Sequence, residues 1–173
     1  MTNQQQNRKI IIGIDPGTRV TGYGVISITG RDFMPLDFGC IRPPATLPLG
    51  ERYAIIFNGL QKLLESYNPL EMAIETPFVH KNAQSAMKLG IAMGCALIVG
   101  KLKGLKVFGY SPREVKCAIV GTGKASKEQV QRSITNYLSL KSPPTPQDAA
   151  DALAIAICHA NSHSLLIPTK KEL

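Results

Sequence analysis

Four acidic residues stand where apolar segments meet loops. Asp15 closes the run IIIGID, Glu75 closes LEMAIE, and Asp148 and Asp151 open DAADALAIAI. Carboxylate oxygens are hard ligands that suit Mg²⁺ or Mn²⁺. Grouped away from water, they repel one another unless a proton or cation lies between them. A set of this kind holds two ions about 3.5–4 Å apart, which activate water and stabilise the leaving oxygen in phosphodiester hydrolysis. Each acid also has a plainer use. Asp15 precedes Pro16-Gly17 and can cap its own turn. First-turn acids such as Asp148 and Asp151 complement a helix dipole for about 0.3–1 kcal/mol.

The elements that must carry these acids can be read from periodicity. The run ending on Asp15 is an apolar string bounded by turn residues, the pattern of a buried strand. Val20 to Ile28 and Phe33 to Arg42 are two further strands, the last weakened by Pro35. Short glycine-containing links between the three predict an antiparallel meander. Pro16-Gly17 and the glycine-rich hairpin beyond are expected to turn the backbone from Asp15 and leave room for a phosphate. Residues Leu49 to Tyr67 place Tyr53, Ile56, Phe57, Leu60, Leu63, Leu64 and Tyr67 on one helical stripe. Leu70 to Ile74 is then a short strand ending on Glu75. A helix between two strands implies a right-handed crossover and a parallel pairing. As neighbours about 4.8 Å apart, the two strands would bring Asp15 and Glu75 together.

Lys81 to Lys101 reads as a helix that is apolar nearly all round in its second half, buried in the core or against another subunit. Gly90 and Gly94 on it would let a second backbone approach. Val107-Phe108 marks a fifth strand. Ser111-Pro112 opens a helix to about Ile119, and Ser126 with Gln129 forms a capping-box pattern for one to about Leu140. The last helix starts at Thr145-Pro146 and runs to about Asn161. It sets Asp148, Asp151 and Ile155 on one face, and its many alanines keep it thin enough to pack closely on a sheet. The expected organisation is a tail over residues 1–8, one domain over 9–162 and a short tail over 163–173.

The net charge of +8 is concentrated. Between residues 101 and 132 there are eight bases (Lys101, Lys103, Lys106, Arg113, Lys116, Lys124, Lys127, Arg132) and two acids (Glu114, Glu128). Such a patch is the electrostatic footprint of a nucleic-acid partner. Cys40, Cys95, Cys117 and Cys158 form no CxxC pair and read as reduced core thiols. The N-terminus lacks the apolar core of a signal peptide. The apolar stretch Ile91 to Val99 is too short to span a bilayer. A soluble, cytoplasmic protein without membrane contact is expected. Cys158, His159 and His163 do not make a complete zinc pattern and read as residues at a helix end.

The segments IGIDPGTRVTGYG, AIETPF with KNAQSAMKLG, VK at 115–116, VGTGKASKEQV and DAADALAIAI occur in an order that resembles the RuvC-type Holliday-junction resolvases, over roughly Ile10 to His159. The resemblance implies an α/β, RNase H-like fold, a five-stranded mixed sheet flanked by helices. It also implies a homodimer that nicks opposed strands of a four-way DNA junction symmetrically. Matched by position, the metal-binding and catalytic acids are Asp15, Glu75, Asp148 and Asp151, serving Mg²⁺, two ions per subunit, with Mn²⁺ as the substitute. The catalytic lysines that also touch DNA are Lys116 and Lys127, and the aromatic inserted into the junction is Phe78. Lys81 and Lys124 are expected phosphate contacts. A branch-migration motor complex is the implied partner. Two departures stand out: Ser126 occupies a position commonly acidic, and the C-terminus is only TKKEL where some members carry a basic extension.

Two other readings of the chain differ in kind. A strand, Asp, Gly and Thr also begin the phosphate loop of the actin and sugar-kinase group. That architecture needs two large lobes, which 173 residues do not provide. A non-catalytic junction-binding module would gain nothing from four acids that repel DNA phosphates.

Overall fold

The computed structural model describes residues 8–76, 82–164 and 172–173. Phe78, Lys81 and nearly all of the expected N-terminal tail lie outside these residues. The chain forms β1 (Lys9–Asp15), β2 (Thr21–Thr29), β3 (Asp32–Ile41), α1 (Leu49–Tyr67), β4 (Glu71–Glu75), α2 (Ala83–Leu102), β5 (Lys106–Tyr110), α3 (Pro112–Val120), α4 (Lys127–Tyr137) and α5 (Gln147–Ser164). The five strands make one sheet in the order β3-β2-β1-β4-β5. β1 to β3 are the antiparallel meander, and β1, β4 and β5 run parallel. Pro35 is accommodated because β3 is an edge strand, and the register shifts opposite it at Val25/Ile26.

Strand alternation divides the core into two layers. Ile12, Ile14, Met72, Ile74 and Val107 face α1 and α2, together with Ile56, Leu60 and Leu64 of the α1 stripe. Ile11, Ala73 and Phe108 face the other way, into the layer formed by α3, α4 and α5. Asp15 and Glu75 share the parity of this second set and therefore point towards α5.

α5 is sunk deeply into that face, and the hairpin glycines explain how. A Cβ on Gly13 would lie 2.2 Å from the Ala152 carbonyl oxygen, and one on Gly22 would lie 2.0 Å from that of Asp148. These glycines admit the helix backbone, with the alanines of α5 on the facing side. They do not serve to turn the chain away from Asp15. That turn belongs to Gly17, whose carbonyl accepts from Thr21 Oγ1 at 2.9 Å.

Other expectations need correction. α4 stops at Tyr137, short of Leu140, because Leu138 and the positive-φ Ser139 break the helix. α5 continues to Ser164, beyond Asn161. Of the four thiols only Cys158 is buried; Cys40 and Cys95 are half-buried and Cys117 is exposed on α3. α2 is buried on one side only, through Ala92, Ala96, Val99 and Gly100. Met87, Ile91, Ile98 and Leu102 face outward, and Gly90 and Gly94 have open space above them. At 20 residues the whole helix has the length and apolarity of a membrane span, which the shorter Ile91–Val99 stretch did not convey. The last two residues dock on β5: Leu173 N–H donates to the Val107 carbonyl at 2.8 Å, and Glu172 pairs with Lys101.

Candidate active site

Asp15 and Glu75 are placed by strand register. Ile14 pairs with Ile74 across the parallel β1–β4 ladder, so the next residue of each strand is an acid at the same end of the sheet. The helix acids are placed by the glycine contacts. Asp15 pairs with Gly22, and Gly22 is the residue against which the Asp148 backbone rests. The first turns of α5, with Asp148 and Asp151, are thereby seated beside the ends of β1 and β4.

The lysines arrive on two short capped helices. In α3, Ser111 Oγ accepts from Glu114 N–H at 3.3 Å and the Glu114 carboxylate accepts from Ser111 N–H at 2.7 Å. This closed cap anchors the helix that carries Lys116. In α4, Ser126 and Gln129 make the same reciprocal pair at 3.2 and 2.8 Å. Ser126 is therefore the N-cap residue that fixes Lys127 at the first helical position.

Asp15, Glu75, Asp151, Lys116 and Lys127 line one cavity of about 310 Å³, with Pro112, Val115, Val130 and Ala154 as its apolar wall. Lys127 Nζ lies 3.5 Å from Asp151 Oδ2. Asp148 is half-buried outside the lining, yet its charge reaches Asp15. Lys124 is exposed on the loop before α4, also outside the cavity.

The electrostatics of the cavity are those of negative charge held out of water without enough compensation. Burial, then the charges of Glu75, Asp151 and Asp148, push the Asp15 carboxyl up to about 8; Lys127 opposes them only in part. Burial and Asp151 push Glu75 to about 7 against Lys127 and Lys116. Asp151 is also raised, chiefly by burial. A cation would relieve all three, and the donors are the hard oxygens that Mg²⁺ or Mn²⁺ prefers. The chemistry of the set therefore fits such ions. The spacing is not that of a closed cage: among the described residues no three His, Cys, Asp or Glu side chains are grouped tightly enough to enclose one. Like charges favour separation, and Asp151 is engaged by Lys127.

One histidine differs from the sequence expectation of a residue at a helix end. His159 is not at a helix end, because α5 continues past it, and it is fully buried. Its Nδ1 lies 2.7 Å from Tyr110 Oη and its Nε2 2.8 Å from Glu71 Oε2. A histidine inside an Ala/Ile-rich helix was the available signal, with Glu71 at even spacing from Glu75 on the same strand face.

The fold and this acid-lined cavity define an RNase H-like α/β protein with a carboxylate centre. Comparison with known proteins makes the assignment specific. The family described as crossover junction endodeoxyribonuclease RuvC matches residues 11–159. The relative from Protochlamydia amoebophila is 52% identical over 154 residues, covering 89% of this chain and 92% of that protein. The Thermus thermophilus RuvC structure superposes with a TM-score of 0.86 at 33% identity, covering 95% of this chain and 99% of that one. The same protein in complex with a Holliday junction substrate gives 0.85 at 31% identity, again covering 95% and 99%. The chain belongs to the RuvC family.

Proposed function

We propose that this protein is a Holliday-junction-resolving endonuclease. It hydrolyses phosphodiester bonds with Mg²⁺, two ions per subunit and Mn²⁺ as a substitute, and nicks opposed strands symmetrically in recombination and repair. The observation that carries this reading is the convergence of Asp15, Glu75 and Asp151 with two lysines in one cavity, where burial and mutual repulsion push Asp15 up to about 8 and Glu75 to about 7 in the absence of a cation.

In this reading Asp15 is the central ligand, bordered by Glu75 on one side and by Asp151 and Asp148 on the other. Bound ions supply an activated water and charge stabilisation at the leaving oxygen. The chain's own residues do the rest. β1 and β4 hold two carboxylates rigidly, since their ladder bonds resist displacement. Lys116 and Lys127 stand where they neutralise charge developing on the scissile phosphate. The apolar wall of Pro112, Val115 and Val130 keeps the local dielectric low and so strengthens each of these interactions. Lys124 and Lys81 are phosphate contacts, and Phe78 stacks on or wedges between unpaired bases.

A homodimer formed through α2 supplies the two active sites that symmetric nicking needs. Its support is the outward apolar row of Met87, Ile91, Ile98 and Leu102, with open space over Gly90 and Gly94. Sedimentation at the mass of a single chain would refute it. The branch-migration motor partner rests on family resemblance and is tested by co-sedimentation with that complex. A cytoplasmic site of action rests on four free thiols and is tested by cell fractionation.

The decisive experiment incubates the protein with a synthetic four-way junction and Mg²⁺. Paired, symmetric nicks are expected. Asp15→Asn should bind the junction as well as the parent and leave it uncut; full cleavage by that variant would refute the site.

A further inference from the structure

The acids sit at one end of β1, β4 and α5, and something must fix how far α5 slides along the sheet. The glycine and alanine contacts at β1–β2 set the depth of the helix. They seat its first turns against the sheet, and hydrogen bonds, being directional, can hold its axial position more sharply than close packing alone. Directional contacts occur farther along the helix, eight residues beyond Asp151 or about 12 Å along its axis. There the buried His159 ring joins two strands. It stacks on Phe108 of β5 with ring centroids 4.7 Å apart, meets Tyr110 of β5 at 2.7 Å and meets Glu71 of β4 at 2.8 Å. Glu71 is in turn paired with Lys9 of β1.

The protonation pattern follows from the partners. Lys9 and His159 hold the Glu71 carboxyl below its ordinary range against the opposing effect of burial. An ionised carboxylate only accepts, so His159 Nε2 carries the proton and donates to it. Nδ1 shares the second hydrogen bond with the Tyr110 hydroxyl. Both bonds have nearly ideal lengths, and a shift of α5 by about 1 Å would break them.

We propose that His159 is a positioning residue for the acid cluster. Its two bonds lock the register of α5 against β4 and β5, and thereby the placement of Asp148 and Asp151 relative to Glu75 and Asp15. The inference rests on the metal-dependent reading of that cluster. A purely stabilising role would lower the melting temperature and leave metal affinity intact.

The test compares His159→Phe, which keeps a buried ring and loses both bonds, with Tyr110→Phe, which loses one of them together with the hydroxyl's bond to Ser162. Mn²⁺ binding to the folded protein is measured by the EPR signal of the free ion, beside junction Kd, kcat and melting temperature. His159→Phe should bind the junction within about twofold of the parent while Mn²⁺ affinity falls about tenfold, the scale typical of groups that orient metal ligands. Its kcat should fall with KM unchanged, and Tyr110→Phe should lie between the two. Parental Mn²⁺ affinity and kcat in His159→Phe, with only the melting temperature lowered, would overturn the proposal. Should His159→Phe fail to fold, parental Mn²⁺ affinity in Tyr110→Phe overturns it instead. Failure of the parent itself to cut junctions would refute the functional reading, and the Mn²⁺ comparison would still decide the positioning role.

Discussion

Glu71 and Glu75 lie four residues apart on β4, on the same face, both beneath α5, and they have opposite fates. Burial acts on both. At Glu71 it is outweighed by hydrogen bonds from Lys9 and His159, which hold the carboxyl below its ordinary value. At Glu75 it is reinforced by Asp151, and two lysines fail to compensate, leaving the group at about 7. The same side chain is thus a satisfied structural acid at one end of a five-residue strand and an unsatisfied one at the other. The difference teaches where to look for chemistry. A buried charge with its partners in place is part of the scaffold, and one left short of partners is held for a ligand.

The largest expected effect separates these two glutamates directly. Glu75→Gln should abolish junction cleavage, while Glu71→Gln, which keeps an acceptor for His159, should reduce it by less than about tenfold. Equal loss in both would erase the contrast. A second test concerns the ions. Protons compete with them at Asp15 and Glu75, so Mn²⁺ affinity should rise steeply with pH through about 7 and about 8 and then level off. Titration at several pH values, with proton release followed by calorimetry, checks this; a flat profile between pH 6 and 8.5 would contradict it.

The third test is stability without metal. The folded-state pKa of Asp15 is raised from 3.8 to about 8, so between those values the folded chain holds a proton that the unfolded chain has lost. Its contribution therefore declines as pH rises across that window and is lowest above it. Asp15→Asn removes that decline and should melt roughly 5 °C above the metal-free parent at pH 9, with little difference near pH 4. A lower melting temperature at pH 9 would mean that the carboxylate is already compensated. The smallest effect is expected outside the cavity. Lys124→Ala should leave cleavage of bound junction unchanged and lower the slope of log affinity against log salt by about 1. An unchanged slope would remove this loop from the DNA interface.

Much of this arrangement was legible in the residues. Strands ending in acids, the α1 stripe and the capping pairs at Ser111 and Ser126 are local patterns, and local patterns follow from periodicity and backbone hydrogen bonding. The parallel β1–β4 pairing followed from the intervening helix. Harder to read were features set by contacts distant in sequence. The glycines of the β1–β2 hairpin look like turn residues until α5 is seen resting on Gly22 and Gly13. His159 looked terminal because the end of a helix without a strong stop signal is poorly marked, and its partners lie 49 and 88 residues away. The thiols looked buried because apolar neighbours in sequence do not say which side of a helix faces out.

By itself the sequence determined which residue types stand at the ends of which elements, because strand alternation and helix capping act over a few residues. It also determined the excess of positive charge and the order of motifs that marks the family. Only the tertiary structure decided which acids are left short of partners. That depends on burial and on the charges brought near by folding, and it sets Asp15 at about 8 while Glu71, on the adjacent strand, remains an ordinary ion-paired acid.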